Sequence, residues 1–80
     1  VIVPVLRDDE IALLLYIDTY TRREGHAPAT RDMRAAMNMT QRALYRRLSY
    51  LEAWGFIARE RRRVRGVRVL RLPDVDGRAA

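Results

Sequence analysis

PATRDMRAAMNMTQRALYRRLSYLEAWGFIARERRRVRGVRVLRL, residues 28–72, is the stretch that decides the fold. A Pro-Ala-Thr-Arg helix start at Pro28 to Arg31 leads, through a turn too short to separate domains, into an arginine-rich helix over residues 40–54. A β-hairpin follows, with Arg61-Arg62-Arg63-Val64-Arg65-Gly66 at its tip. Two short helices in tandem and then a basic hairpin is the order of a winged helix-turn-helix, and the positive charge falls where a duplex would lie. The expected fold is mainly α with a small β-hairpin: three helices plus a two- or three-stranded antiparallel wing.

Within this stretch each element has its own local signals. Thr30 is placed as the N-cap of helix 2, with Asp32 in its first turn and Met33, Ala36 and Met37 forming an i, i+3, i+4 apolar stripe. Asn38-Met39 makes the turn, and Thr40 caps helix 3. In helix 3, Leu44, Leu48 and Leu51 repeat at i, i+4, i+7 and face inward, leaving Arg42, Tyr45, Arg46 and Ser49 on the other side. Trp54 ends the helix and Gly55 is the residue that follows its cap. Phe56 and Ile57 open a strand reaching about residue 61, and a second strand spans residues 67–72, with Val67 and Val69 opposite Arg68. The predicted core is Met33, Met37, Leu44, Leu48, Leu51, Trp54 and Ile57.

Upstream, residues 1–8 read as an N-terminal arm or edge strand, apolar and broken by Pro4. Helix 1 spans residues 9–23 and ends before Gly25, with Asp8 and Asp9 favouring its start. Leu13, Leu14, Ile17, Tyr20 and Thr21 share its core face. Ile11 and Leu15 point elsewhere, either beneath the N-terminal segment or into a homodimer contact. Residues 25–29 form a turn with His26 exposed, and the bias before Pro28 allows a short strand pairing with the hairpin. The domain proper is therefore residues 9–72, and residues 73–80 read as a flexible tail.

Composition narrows the function. Eighty residues make one small domain, able to bury roughly 60–65 % of its unfolded surface. With no Cys and one His, neither a metal centre nor a nucleophile–base pair assembles, so the expectation is no enzyme and no cofactor. No small-molecule ligand or membrane span is evident, and Val1 to Leu6 is too short for a signal peptide, so a cytoplasmic protein of bacterial, phage or plasmid origin is expected. The net charge is +6, but its distribution matters more. Residues 1–39 hold five Arg against six acids, while residues 40–72 hold ten Arg against Glu52 and Glu60. One half is basic and the other near neutral, the polarity of a protein that docks one face on a polyanion.

The residues expected to read bases are Thr40, Gln41, Arg42, Tyr45 and Arg46, the outward positions of the first two turns of helix 3. Arg42 and Arg46 suit guanine, Gln41 adenine, and Tyr45 a thymine methyl or a phosphate. Backbone or wing contacts are expected from Thr30, Arg31, Arg47, Ser49, Arg61, Arg62, Arg63 and Arg65, with capping the main job of the two threonines. Four Arg within the five residues 61–65 repel one another and point to phosphate or minor-groove contact. Rival readings are a winged-helix protein-interaction module and a replication-origin or single-strand binder. Only Tyr45 and Tyr50 are placed to stack bases, which argues against the latter.

Tyr16-Ile17, Gly25, Pro28, Thr30-Arg31, Leu48-x-x-Leu51, Gly55-Phe56-Ile57 and Val67 together resemble the N-terminal winged helix-turn-helix of LexA-type repressors, over roughly residues 10–70. The helix-helix-hairpin order is shared with the wider superfamily, MarR-like regulators included. The resemblance implies duplex DNA binding and transcriptional regulation. Three departures stand out. Asn38 occupies the turn where that family usually has Gly, Thr40-Gln41 replaces its Ser-Pro start of helix 3, and the exposed residues of helix 3 differ, so an operator does not carry over. The residues after Leu72 leave no room for the family's self-cleaving Ser-Lys protease domain, so a stand-alone or excised DNA-binding module is expected.

Overall fold

The structure, a computed structural model, describes residues 5–60 and 62–73. Helices α1 (Asp8–Glu24), α2 (Thr30–Met37) and α3 (Gln41–Ala53) precede an antiparallel pair, β1 (Ile57–Arg59) and β2 (Val67–Val69). Ile57 faces Val69, Ala58 faces Arg68 and Arg59 faces Val67. This is the mainly helical body with a two-stranded wing that the sequence leads one to expect.

α1 starts at Asp8 because three carboxylates, Asp8, Asp9 and Glu10, occupy the turn where the dipole and free amides favour negative charge. The Arg7 N–H donates to Glu10 Oε1 at 2.7 Å, which lets the Glu10 side chain lie buried at no loss of hydrogen bonding. The helix stops at Gly25, whose φ of 80° is left-handed and whose N–H donates to the Thr21 carbonyl at 2.9 Å.

Leu13, Leu14 and Ile17 of α1 meet Met33 of α2, and Leu44, Leu48 and Leu51 of α3 close the core with Phe56, Ile57 and Val67. Leu6 completes it from the N-terminal side. Residues 1–4 and 74–80 lie outside the described residues, and with them all of the expected tail but Pro73, which is a bridge residue. Of the edge strand expected at the N-terminus, the described part is a single bridge residue, Val5.

Several local expectations are corrected. Ala29, not Thr30, holds the N-cap of α2, because Asp32 caps from within: its Oδ2 accepts the Ala29 N–H at 3.0 Å. Thr30 is thereby the first helical residue. Ala36 is exposed, since α2 presents only a narrow stripe centred on Met33 to its neighbours. Trp54 is 37 % exposed rather than core: α3 ends there, and the indole rests beside the Tyr50 ring at 6.3 Å. Phe56, one residue past the Gly55 turn (φ 80°), takes the interior place instead. Both strands are shorter than predicted: β2 ends where the Leu70 and Arg71 N–H groups both bond the Phe56 carbonyl, and β1 ends before Glu60, whose carbonyl accepts the Arg63 N–H and starts the wing turn. Residues 25–29 add no strand; Ala27, Pro28 and Ala29 are buried as a packed turn.

Candidate nucleic-acid interface

α3 is launched by two local features. Asn38 adopts φ 53°, a left-handed conformation that Asn tolerates better than most residues, and so reverses the chain without glycine. The Thr40 hydroxyl then accepts the Ala43 N–H at 3.1 Å, the N-cap that was expected. With Leu44, Leu48 and Leu51 buried, the 3.6-residue period forces Arg42, Arg46 and Ser49 outward, with Gln41 and Tyr45 also exposed. Arg42 and Arg46 make no ion pair among the described residues.

Beside this face lies a groove of about 590 Å³ between α3 and the wing. Tyr45 and Ser49 form one wall, Arg62, Arg63 and Val64 the other, and Thr30 closes an end. Five separately predicted contacts therefore converge on one concavity. Arg31 is exposed next to Thr30, at the amino end of α2.

The wing owes its shape to Gly66. A Cβ at Gly66 would collide with the Glu60 carbonyl oxygen and lie 3.2 Å from Arg63 Cβ. That close approach permits the turn bonds, Glu60 N–H to the Gly66 carbonyl at 3.0 Å and Arg63 N–H to the Glu60 carbonyl at 3.1 Å. At the tip Val64 is 76 % exposed. Arg62 is exposed and makes no ion pair among the described residues. Arg63 pairs with Glu60 at 3.1 Å, but both side chains are solvated, so screening leaves the pair weak and exchangeable. Arg61 lies outside the described residues.

Two predicted contacts are differently engaged. Arg47 Nε donates to Asp9 Oδ2 at 2.7 Å, tying α3 to the start of α1 on the flank away from the wing groove. Its half-buried stem and short bond make it a strut between helices in the free chain. Arg65 folds back from the wing: its Nη1 donates to the Ala27 carbonyl at 2.9 Å and lies 3.7 Å from Asp32 Oδ2.

Other functional supports were missed by sequence reasoning. Arg59 donates to Glu52 Oε1 at 2.9 and 3.3 Å and to the Ser49 hydroxyl at 3.2 Å, riveting β1 to α3. The rivet leaves the Ser49 hydroxyl hydrogen still available to an acceptor in the groove. Arg71 donates to the Trp54 carbonyl at 2.6 Å while its guanidinium lies 4.9 Å from the Phe56 ring centroid, closing the end of α3. Both arginines carry the same sequence signal as a phosphate contact, an Arg on a predicted strand, and only their partners separate them.

On α1, Ile11 packs partly against the core, so of the two dimer candidates only Leu15, 46 % exposed, presents a free apolar side chain. Burial pushes the Tyr16 phenol above its ordinary value of 10.0, helped by the nearby Asp32 charge. Among the described residues, no group of His, Asp and Glu is placed to hold a metal ion, and no helix is long and apolar enough to cross a membrane.

Comparison with known proteins gives a consistent result. A family model described as the LexA DNA binding domain matches residues 6–66, the three helices, β1 and the wing tip. The LexA repressor of Gluconobacter oxydans (strain 621H) is 40 % identical over 68 residues, which is 84 % of this chain and 29 % of that protein. The LexA repressor of Granulibacter bethesdensis is 35 % identical over 71 residues, 88 % of this chain and 29 % of that one. That of Acidiphilium cryptum is 39 % identical over 63 residues, 78 % of this chain and 27 % of its own length. The chain thus spans less than a third of each of these relatives.

Proposed function

The chain belongs to the LexA DNA-binding domain family, and from that premise we propose that it is a duplex-DNA-binding module of a transcriptional repressor. In this proposal α3 lies in the major groove and the wing rests on the flanking backbone. The observation that carries it is the pair of arginines without an acidic partner among the described residues, Arg42 and Arg46, one turn apart on the outer face of the helix whose Tyr45 and Ser49 line the wing groove.

Each element has a distinct physical task. The Arg42 and Arg46 forks match the O6 and N7 acceptors of guanine, at about 1–3 kcal/mol of discrimination per good pair. Gln41 and Tyr45 extend the same reading surface, to adenine and to a thymine methyl or phosphate. Thr40 contributes chiefly by capping the helix that carries them. Thr30, Arg31, Ser49, Arg62 and Arg63 neutralise or bond phosphates, which adds affinity without sequence information.

One module covers about 600–1,000 Å² of duplex, too little for tight specific binding. Two copies on half-sites about 34–36 Å apart follow from this, and Leu15 is the exposed apolar residue α1 offers to a second copy. Because the exposed residues of α3 are this chain's own, so is its operator.

Selection from random duplexes, followed by titration of the selected site and a scrambled one, tests the division of labour. Arg42→Ala and Arg46→Ala are expected to erase the difference between the two duplexes. The Arg62→Ala/Arg63→Ala pair is expected to weaken both alike and to flatten the salt dependence by about one to two units. If the wild-type chain binds the two duplexes equally after selection, sequence-specific recognition by α3 is wrong.

A further inference from the structure

The Arg65 guanidinium leaves the wing and ends on the α1–α2 turn. Its Nη1 donates to the Ala27 carbonyl at 2.9 Å, with the Tyr20 hydroxyl and His26 Nδ1 both at 3.3 Å and Asp32 Oδ2 at 3.7 Å. One nitrogen with two hydrogens cannot serve four acceptors at full strength. The Ala27 carbonyl takes the short bond, the Tyr20 hydroxyl accepts the second hydrogen, shared with His26 Nδ1 in the tautomer that leaves that nitrogen unprotonated, and Asp32 supplies charge at longer range. The receiving surface is itself rigid: Ala27, Pro28 and Ala29 are buried, and Asp32 is held by the Ala29 N–H.

At its base the wing is tied to α3 by Arg59, but among the described residues its tip has no comparable tie to the body. β1 and β2 are three residues each, Arg62 and Val64 are exposed, and the Arg63–Glu60 pair stays within the wing. A hairpin this short is at best marginally ordered without packing. We propose that Arg65 is a positioning residue: it latches the wing to the α1–α2 turn and so sets the wing's angle to α3, instead of serving as a phosphate contact. Its consequence for DNA rests on the function proposed above; its consequence for the free protein does not.

The latch has a thermodynamic signature. Removing a cation that neutralises a phosphate lowers the number of counterions released, so the salt slope falls by about 0.9 for each such cation removed. Releasing a latch leaves the same phosphates to be neutralised, but the wing must be ordered on binding. Affinity then falls by a similar factor at every salt concentration, with the slope kept.

Amide hydrogen exchange of the 80-residue chain without DNA gives the first arm, and salt-dependent binding to a mixed-sequence duplex the second. Arg65→Gln is expected to speed exchange at the Glu60 and Arg63 amides by about three- to tenfold, the loss of roughly one hydrogen bond, with Leu48 and Leu51 unchanged. Tyr20→Phe, which removes one receiving oxygen and no charge, is expected to do the same more weakly; it carries the test if Arg65→Gln fails to fold. Arg62→Gln is expected to leave exchange alone and flatten the salt slope. Unchanged wing exchange in Arg65→Gln, or a slope reduced as in Arg62→Gln, overturns the latch. Failure of the wild-type chain itself to bind duplex would instead overturn the function proposed above, and the exchange arm would still decide the latch.

Discussion

Helix α3 and the wing are built from the same basic residue and treat it in opposite ways. On α3, Arg42 and Arg46 project from a helix whose other face is fixed by three buried leucines, so their positions are set by the backbone alone. In the wing, three-residue strands fix little, and the arginines are distributed among tasks: Arg62 exposed, Arg63 on Glu60, Arg65 on the body. A cluster of like charges in a sequence is therefore an upper bound on the charge available to a partner. Rigidity decides how much of the cluster is engaged internally: α3 ties only Arg47 to the body and leaves Arg42 and Arg46 outward, while the short hairpin engages both Arg63 and Arg65.

The largest expected effect bears on the stiff side of this contrast. Leu48→Ala empties a fully enclosed position beneath the reading face and is expected to cost about 2–5 kcal/mol, measured by urea unfolding. A decrease below about 1 kcal/mol would show that the core does not hold α3 as described. On the other side, Gly66→Ala sets a methyl against the Glu60 carbonyl, a strain of about 1–3 kcal/mol confined to the hairpin. Far-ultraviolet circular dichroism is expected to keep its helical signal while amide exchange at Glu60 rises; a cooperative loss of helix would mean the wing and body are not separable.

A smaller effect tests the helix cap. Thr40→Ala is expected to lower stability by about 1 kcal/mol, with the Ala43 amide newly exchanging. Trp54→Ala is expected to be milder than the roughly 3–5 kcal/mol of a buried tryptophan, because its indole is part-exposed on the last turn. Equal destabilisation by Trp54→Ala and Leu51→Ala would return Trp54 to the core. Last, the Tyr16 phenol gives a pH signature. Its folded value is raised, so in alkali the unfolded chain ionises first, and the stability it contributes is present below pH 10.0 and lost as pH climbs through the folded value. Tyr16→Phe is expected to remove that alkaline dependence; an unchanged profile would place the titration elsewhere.

Much of the fold was legible because it is written in local terms. The leucine period of α3, the Thr40 cap, Gly25 and Gly55 at helix ends, and alternation in Val67–Val69 each involve residues within one or two turns of one another. The errors arose where a local rule had two solutions. Thr30 and Asp32 are both able to cap α2, and the internal carboxylate won. Trp54 and Phe56 compete for one interior place, and the Gly55 turn gave it to Phe56.

By itself, then, the order of residues determined the three helices, the basic hairpin and the outward projection of Arg42 and Arg46, since period and capping act over a few residues. Which remaining arginines stay open to a partner was decided only by folding. Arg47 finds Asp9, and Arg65 finds Ala27, each 38 positions away along the chain. No pattern of neighbours encodes a bond of that span; it exists because the core shared by α1 and α3 and the packing of β2 on α1 bring those atoms within reach.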